Sequence, residues 1–166
     1  MGFGGRDAIG SAGKLARGMN AAEAVHSRRD PNPMSRLSEV RWIDLPSIED
    51  PRGELTAVES EQDLPFPIRR VFYMHHIVSP RGAHAHPDTD QVIIAAAGEF
   101  RADLFDGREI QNYHLDNPRR GLFVPRMLLV TMDAFSEGCV ALVLASTHYD
   151  NSKTIRSREA FVEAVR

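Results

Sequence analysis

Short apolar runs separated by turn signals constrain the fold of this chain more than any other feature of its sequence. From Val40 onward the runs are rich in β-branched and aromatic residues, and Gly, Pro, Asn or Asp stands between most of them, which is typical of β-strands. Parallel strands need a long crossover connection, usually a helix, and no helical segment separates these runs. The pattern therefore predicts an all-β sandwich or barrel. The predicted strands are residues 40–45, 54–59, 70–78, 91–97, 100–105, 108–115, 122–124, 127–132 and 140–146.

Two local signals add detail to the all-β prediction. Asp106 followed by Gly107 predicts a tight hairpin between two of the strands. Near the end of the chain, Ser157 is a suitable N-cap, and Phe161, Ala164 and Val165 would form the apolar side of a short helix. We therefore expect a β-domain that ends in one short C-terminal helix.

The first 33 residues differ in composition from the rest of the chain. They are rich in Gly, Ala and Arg, and residues 28–33 read as a linker. Residues 14–25 have a weak helical pattern that Gly18 interrupts. We expect residues 1–33 to be a loosely ordered extension and residues 34–166 to form the folded domain.

Charge and cysteine content exclude several classes of protein. Twenty Lys and Arg balance 23 Asp and Glu, for a net charge of -3, which gives no reason to expect a nucleic-acid or membrane surface. Cys139 is the single cysteine, so neither an intramolecular disulfide nor a Cys-rich zinc site is available. Apolar runs are strand-sized and too short to span a bilayer. A soluble cytoplasmic protein is the expectation.

A histidine pair carries most of the chemistry in the sequence. His84 and His86 are two residues apart, so in a strand both imidazoles face the same side. Inward histidines need partners, a ligand or a metal, and a pair of hydrogen-bonded structural histidines stays an alternative. His75 and His76 are adjacent, and on a strand they would point to opposite faces.

The spacing around this pair is similar to the metal-binding cupin motif, with one change. After four intervening residues beyond His86, the position of the acidic ligand holds Gln91, and Gly98 follows after six more. A neutral amide is a poor substitute for a carboxylate ligand, and residues 121–132 supply no later histidine. We therefore expect no metal and no other cofactor, and we expect the histidines to transfer protons near neutral pH.

An ordered set of segments resembles the sugar 3,4-ketoisomerases of the FdtA, QdtA and WxcM-like group, over about 115 of the 166 residues. The segments are DPRGEL at 50–55, PFPIRRVFY at 65–73, RGAHAH at 81–86, QVII at 91–94, LDNP at 115–118 and LVLAS at 142–146. The resemblance implies a cupin-type jelly-roll β-barrel and a homodimer with exchanged N-terminal strands.

The resemblance also implies a reaction and the residues that perform it. The family acts on dTDP-4-keto-6-deoxyglucose and gives its 3-keto isomer through an enediol, in the biosynthesis of deoxysugars for surface polysaccharides such as lipopolysaccharide O-antigen. His84 and His86 would be catalytic, with Tyr73 as the active-site phenol unless a register shift of one residue puts Phe72 in its place. Substrate-binding candidates are Arg52, Arg81, Gln91 and Arg101, and Arg120 is a further candidate. The arginines are suited to the nucleotide diphosphate because a guanidinium group can bind two phosphate oxygens at once.

Two departures from the family pattern leave other functions open. Pro87 stands where a lysine is common, and Leu129 stands where an aromatic residue is expected. A 3,5-epimerase of the same sugar class is one alternative, and a cupin that binds a nucleotide-sugar without converting it is another. A metal cupin oxygenase is a further alternative, which bound iron or zinc would reveal.

Overall fold

Eleven strands form two antiparallel sheets and a separate hairpin in residues 36–166, which are the residues that this computed structural model describes. The predicted extension of residues 1–33, with its weak helical pattern, lies outside the described residues. The strands are β1 (Arg41–Asp44), β2 (Ser47–Asp50), β3 (Gly53–Thr56), β4 (Arg70–Met74), β5 (Arg81–Ala85), β6 (Gln91–Ala97), β7 (Phe100–Phe105), β8 (Ile110–Leu115), β9 (Arg120–Val124), β10 (Leu129–Asp133) and β11 (Val140–Ala145).

The strands are arranged so that β4 and β5 each lie at one edge of a sheet. One sheet has the order β1-β9-β6-β11-β4, and the other has the order β5-β10-β7-β8. Among the strands of residues 36–166, β2 and β3 pair only with each other. Helix α1 (Arg158–Ala164) follows, and its N-cap Ser157 accepts a hydrogen bond from the Ala160 amide at 3.0 Å. The all-β prediction with one short C-terminal helix is confirmed.

The main core is built from side chains of both sheets. Ile93 of β6 and Val143 of β11 come from the five-stranded sheet, while Phe100 and Leu104 of β7 come from the four-stranded sheet. All four are essentially inaccessible to solvent. Burial of side chains this size contributes about 1.5–3 kcal/mol each, so the shared core holds the two sheets together.

The outer faces of both sheets are also partly covered. Val92 and Ile94 of β6 point away from the main core and pack with Leu64 and Phe66, from the segment before β4. On the other sheet, Phe161 of α1 is fully buried with side chains of β5, β7 and β10. Strand β6 is therefore buried on both faces, which explains why its sequence is a continuous apolar run.

Several predicted strand ends are wrong, for local reasons. The predicted set omits two strands, β2 and β5, and the strand predicted at residues 54–59 is β3, which ends at Thr56. Strand β4 ends at Met74 rather than at residue 78, because His76 has a φ of 50°, which interrupts a strand. The hairpin at Asp106 is confirmed, but its return strand β8 starts at Ile110, since the Asp106 carboxylate accepts hydrogen bonds from the amides of residues 108 and 109.

No helix within residues 36–166 is long and apolar enough to cross a membrane.

Phe161 is expected to account for most of the attachment of α1 to the four-stranded sheet. Replacing Phe161 by Ala should lower the free energy of unfolding by about 3–5 kcal/mol, because it leaves a cavity where a fully buried ring packs against Phe105. Urea unfolding followed by fluorescence measures the change. Glu163→Ala, at an exposed position of the same helix, is the control, and an equal loss in both variants would contradict this packing role.

Candidate active site

A cavity of about 470 Å³ opens between the edge strands β4 and β5, where the two sheets separate. This volume suits a small-molecule ligand. Apolar side chains from both sheets form most of its wall, and a few polar side chains converge on it. Its apolar lining includes Phe72, Met74, Ile93, Val130, Met132 and Val143, and its polar lining is His84, His86, Gln91, Arg81, Arg156 and Tyr73.

The two histidines of the central motif lie side by side in this cavity. His84 is on β5, and His86 follows the last residue of that strand. Their ring centroids are 4.9 Å apart and the rings are nearly perpendicular, at 84°. As the spacing predicts, both imidazoles face the same side of the sheet, and both are partly buried.

Strand β5 is irregular immediately before His84. Gly82 and Ala83 have φ values of 86° and 56°, and the pairing of β5 with β10 shifts register between Val130 and Thr131. The Nδ1 atom of His84 lies 2.9 Å from the carbonyl oxygen of Gly82. This β-bulge thus determines both the position of the His84 backbone and the orientation of the His84 ring.

The electrostatic surroundings of His86 favour a neutral ring. Burial lowers the pKa of His86 from 6.5 to about 4, and positive charge at His84 and Arg70 acts in the same direction. The carboxylate of Asp88 opposes these effects but is weaker. At neutral pH the cavity therefore presents an uncharged imidazole at His86, which is able to accept or donate a proton.

Gln91 is the buried polar residue next to the histidines in this wall. It is the first residue of β6, and only 7% of its surface is exposed. The preceding residue, Asp90, pairs with Arg126 at 2.7 Å and accepts the Arg126 amide. These contacts fix the start of β6 and with it the Gln91 side chain.

Two arginines near the cavity were not among the site residues predicted from the sequence. Arg70 lies 5.1 Å from the ring centroids of both Phe72 and Tyr149, and its Nε atom is buried without a hydrogen-bond partner among the described residues. Arg156 lines the cavity directly. Arg70 lies on the inward face of β4 together with Phe72, because side chains alternate between the two faces of a strand. The inward orientation of Arg70 could therefore have been predicted from the sequence once the register of β4 was known.

The position of Arg156 depends on a tertiary contact. Ile155 and Ala85 exchange two backbone hydrogen bonds, of 2.9 Å and 3.0 Å, which tie the C-terminal segment to β5. The guanidinium of Arg156 also donates to Asn151. No local pattern in the sequence predicts this bridge.

Tyr73 and Phe72 occupy opposite faces of β4. Phe72 is partly buried and packs against the main core, whereas Tyr73 is 63% exposed and lies at the rim of the cavity, with its ring 5.6 Å from that of His75. The inward position of this strand is therefore occupied by Phe72.

The adjacent histidines that follow β4 differ from the prediction of one inward and one outward ring. Both His75 and His76 are exposed, and their Nδ1 atoms are 2.6 Å apart.

The remaining predicted arginines divide into one that lines the cavity and several that do not. Arg81 lines it from β5. Arg52 lies at the turn between β2 and β3, where it pairs with Asp50. Arg101 pairs with Asp133 and Asp103 on the four-stranded sheet. Arg120 stacks on Trp42, 4.2 Å from its ring centroid.

Within residues 36–166, no group of three or more His, Cys, Asp or Glu side chains is placed to hold a metal ion. His84 and His86 supply two nitrogen donors, and the third wall residue, Gln91, supplies an amide. The donor set fits hydrogen bonding and proton transfer better than it fits a zinc or iron site, which needs at least three protein ligands.

Comparison with known proteins places this arrangement in a family. The family model described as "WxcM-like, C-terminal" (FdtA) matches residues 38–166. A TDP-4-oxo-6-deoxy-alpha-D-glucose-3,4-oxoisomerase from Aneurinibacillus thermoaerophilus is 40% identical over 125 residues, which cover 74% of this chain and 90% of that protein.

Solved structures give the same result. A 3,4-ketoisomerase from Helicobacter canadensis is 35% identical with a TM-score of 0.74, and the match covers 76% of this chain and 97% of that one. A mutant of the 3,4-ketoisomerase QdtA from Thermoanaerobacterium thermosaccharolyticum, in complex with TDP-4-keto-6-deoxyglucose, is 34% identical with a TM-score of 0.74 over 76% of this chain and 93% of that one. This chain therefore belongs to the FdtA, or WxcM-like, family.

Proposed function

We propose that this protein is a nucleotide-sugar 3,4-ketoisomerase that converts dTDP-4-keto-6-deoxyglucose, or a close relative, to its 3-keto isomer. The observation that carries the proposal is the pair of imidazoles, His84 and His86, side by side in a cavity of about 470 Å³. Relatives with this activity are 34–40% identical. The enzyme would act in the cytoplasm, in the biosynthesis of deoxysugars for surface polysaccharides.

The reaction needs one base and one acid on the same sugar. A histidine takes the proton from C3, and the C–H electron pair forms the C3–C4 double bond of the enediol while an acidic group gives a proton to the C4 carbonyl oxygen. The C3 hydroxyl then gives its proton to the group that protonated the C4 oxygen and becomes the ketone, as the histidine delivers a proton to C4. One C–H bond breaks and another forms, so the sugar is neither oxidised nor reduced overall and no redox co-substrate is required. Two adjacent imidazoles suit this exchange because a neutral imidazole can accept a proton at one nitrogen and donate one from the other, and burial of His86 keeps its pKa low enough for a neutral ring at physiological pH.

Other side chains of the cavity have supporting roles in this proposal. Tyr73, at the rim, relays a proton or donates a hydrogen bond to the sugar, and Gln91 bonds a sugar hydroxyl or holds an imidazole. Arg81 and Arg156 line the cavity and are suited to the diphosphate, because a guanidinium binds two phosphate oxygens at once. Arg101 pairs with two carboxylates outside the cavity, which leaves it no role in this chain's site.

Arg52 enters the proposal through a second copy of the chain. In the part of the chain that the structure describes, the β2–β3 hairpin pairs with no other strand. Its Ile48 and Leu55 are 66% and 58% exposed, and the Arg52 side chain at its tip is 89% exposed. Strand β4 also exposes Val71 on the outer face of its sheet. Pairing between two copies would cover these apolar groups, and we propose a homodimer with exchanged N-terminal strands in which Arg52 reaches the partner's cavity.

Replacing both His84 and His86 by Asn should abolish the reaction. Loss of general acid–base catalysis predicts a decrease in kcat of about 10²–10⁴-fold or more, and NMR in deuterated water should show no exchange at C3. His114→Asn, which changes an exposed histidine paired with Glu99, is the control and should keep full activity.

The same NMR experiment separates the alternative functions. Deuterium at C3 and C5 with the ketone retained at C4 would identify a 3,5-epimerase. Saturable binding without any exchange would identify a non-catalytic sugar-nucleotide binder. Undiminished exchange in the double variant would contradict the catalytic role of the histidines.

Mixed dimers test the role of Arg52. Co-refolding Arg52→Ala with the His84→Asn/His86→Asn variant should restore about one quarter of wild-type activity, since half of the dimers then hold one intact site of two. Co-refolding His84→Asn with His86→Asn is the control and should restore none, because both residues line the same chain's cavity. Recovery no greater than the residual activity of the separate variants would show that Arg52 does not act across the dimer.

The pKa of His86 predicts a specific loss of stability in acid. The unfolded chain binds a proton at His86 below about pH 6.5, whereas the folded chain binds it only near pH 4, so acidification favours the unfolded state between these values. Between about pH 7 and pH 4.5 the wild type should lose about 1–2 kcal/mol more than His86→Asn, since solvent that reaches the ring screens part of the effect. Urea titrations at a series of pH values measure this difference, and parallel curves for the two proteins would contradict it.

A further inference from the structure

The bulge in β5 is a backbone arrangement that the strand adopts at an energetic cost. Gly82 and Ala83 both lie in the left-handed region, with φ values of 86° and 56°. For a residue other than glycine this conformation costs about 1 kcal/mol or more. Strained residues of this kind persist only where the surrounding structure enforces them, and here they stand directly before His84 in the cavity wall.

Strand β10 enforces the bulge from the other side. A Cβ atom at Gly82 would lie 2.5 Å from the carbonyl oxygen of Val130 and 3.3 Å from its carbonyl carbon, and backbone atoms cannot move aside as a flexible side chain can. The ladder between the two strands changes register at this point, with Val130 opposite His84 and Thr131 opposite Gly82. Both the conformation and the close approach therefore require glycine at position 82.

The carbonyl group of Gly82 determines which nitrogen of His84 carries the hydrogen. Its oxygen lies 2.9 Å from Nδ1. A carbonyl oxygen only accepts hydrogen bonds, so Nδ1 must be the donor, and in the neutral ring Nε2 is then unprotonated. Because a carbonyl does not ionise, this preference for one tautomer does not change with pH.

We infer that the bulge at Gly82 is a positioning device for the proposed isomerisation, which holds His84 in the Nδ1–H tautomer and leaves Nε2 as the proton acceptor in the cavity. Gly82 itself lines the cavity, and the role that we assign to it is exerted through His84. The acceptor role rests on the proposed function, whereas the tautomer follows from the hydrogen bond alone. A bulge that re-aims a side chain beside an active site is a recurring use of this irregularity.

The tautomer is measurable without substrate. In protein with ¹⁵N-labelled histidine, at an alkaline pH where imidazoles are neutral, long-range ¹H–¹⁵N spectra should show a protonated Nδ1 and an unprotonated Nε2 for His84. The signals are assigned by their loss in His84→Asn. Exposed His148 serves as the internal reference for a ring without this constraint. A His84 ring in the Nε2–H form, or one averaged like His148, would overturn the inference.

A matched pair of glycine variants tests the effect on catalysis. Gly82→Ala should release the Nδ1–H preference and lower kcat by about 10²-fold with little change in KM, as expected for a misplaced catalytic group. Gly138→Ala also places a Cβ at a positive φ, 71°, but meets no atom within 4 Å; it should keep both the tautomer and kcat. A Gly82→Ala protein that keeps the wild-type tautomer and kcat would overturn the inference.

The two proposals fail in different ways. If the wild type shows the Nδ1–H tautomer but does not exchange the C3 proton, the proposed function is wrong while the assignment of the nitrogens stands. If the wild type turns over substrate with His84 in the other tautomer, the proposed function stands and the positioning role of Gly82 is wrong. The wild-type spectrum decides the second question even if Gly82→Ala fails to fold.

Discussion

The burial of β6 on both faces is the interaction on which the rest of the structure depends. Its alternate residues pack into the core shared by the two sheets and into the cluster formed with the segment before β4. Strands β9 and β11 pair on either side of it. A one-residue shift of this central strand would move each of its two apolar sets to the opposite face, where it would have to pack in the space of the other set. The first residue of the strand, Gln91, is therefore held at a fixed point in the cavity wall.

The candidate site lies where this packing ends. At the edges of the sheets, β4 and β5 are not joined to each other, and the gap between them is the cavity. Arg81 and the two histidines come from β5 and the residue that follows it, whereas the other polar side chains of the cavity come from β4, β6 and the C-terminal segment. Partial burial of the ring lowers the pKa of His86 and keeps that ring neutral, so the packing that stabilises the core also adjusts this acid–base group.

Sequence reasoning predicted those parts of the fold and site that local patterns determine. Alternation and turn residues identified nine of the strands, and the two-residue spacing placed His84 and His86 on one side of β5. The position of Phe72 and Arg70 on the inward face of β4 followed from the same alternation, but only once the register of the strand was known. Two strands were missed. Strand β2 was missed because Ser47–Asp50 is mostly exposed and carries no apolar pattern, and β5 was missed because Arg81–Ala85 contains no β-branched residue and is interrupted by a glycine. Arg156 was missed because its place depends on a bridge between residues far apart in the chain, and the bulge at Gly82 depends on the backbone of β10.

The bridge between Ile155 and Ala85 also determines which changes the end of the chain can tolerate during evolution. Its hydrogen bonds are made by backbone groups, so they place no demand on the identity of either side chain beyond fitting the space. Substitutions in the C-terminal segment are therefore compatible with its attachment to β5. A one-residue insertion or deletion between β11 and Ile155 is not, because it would pair a different residue with Ala85 and carry Arg156 to the other face of the segment. Along this stretch, selection should act on length more strongly than on composition.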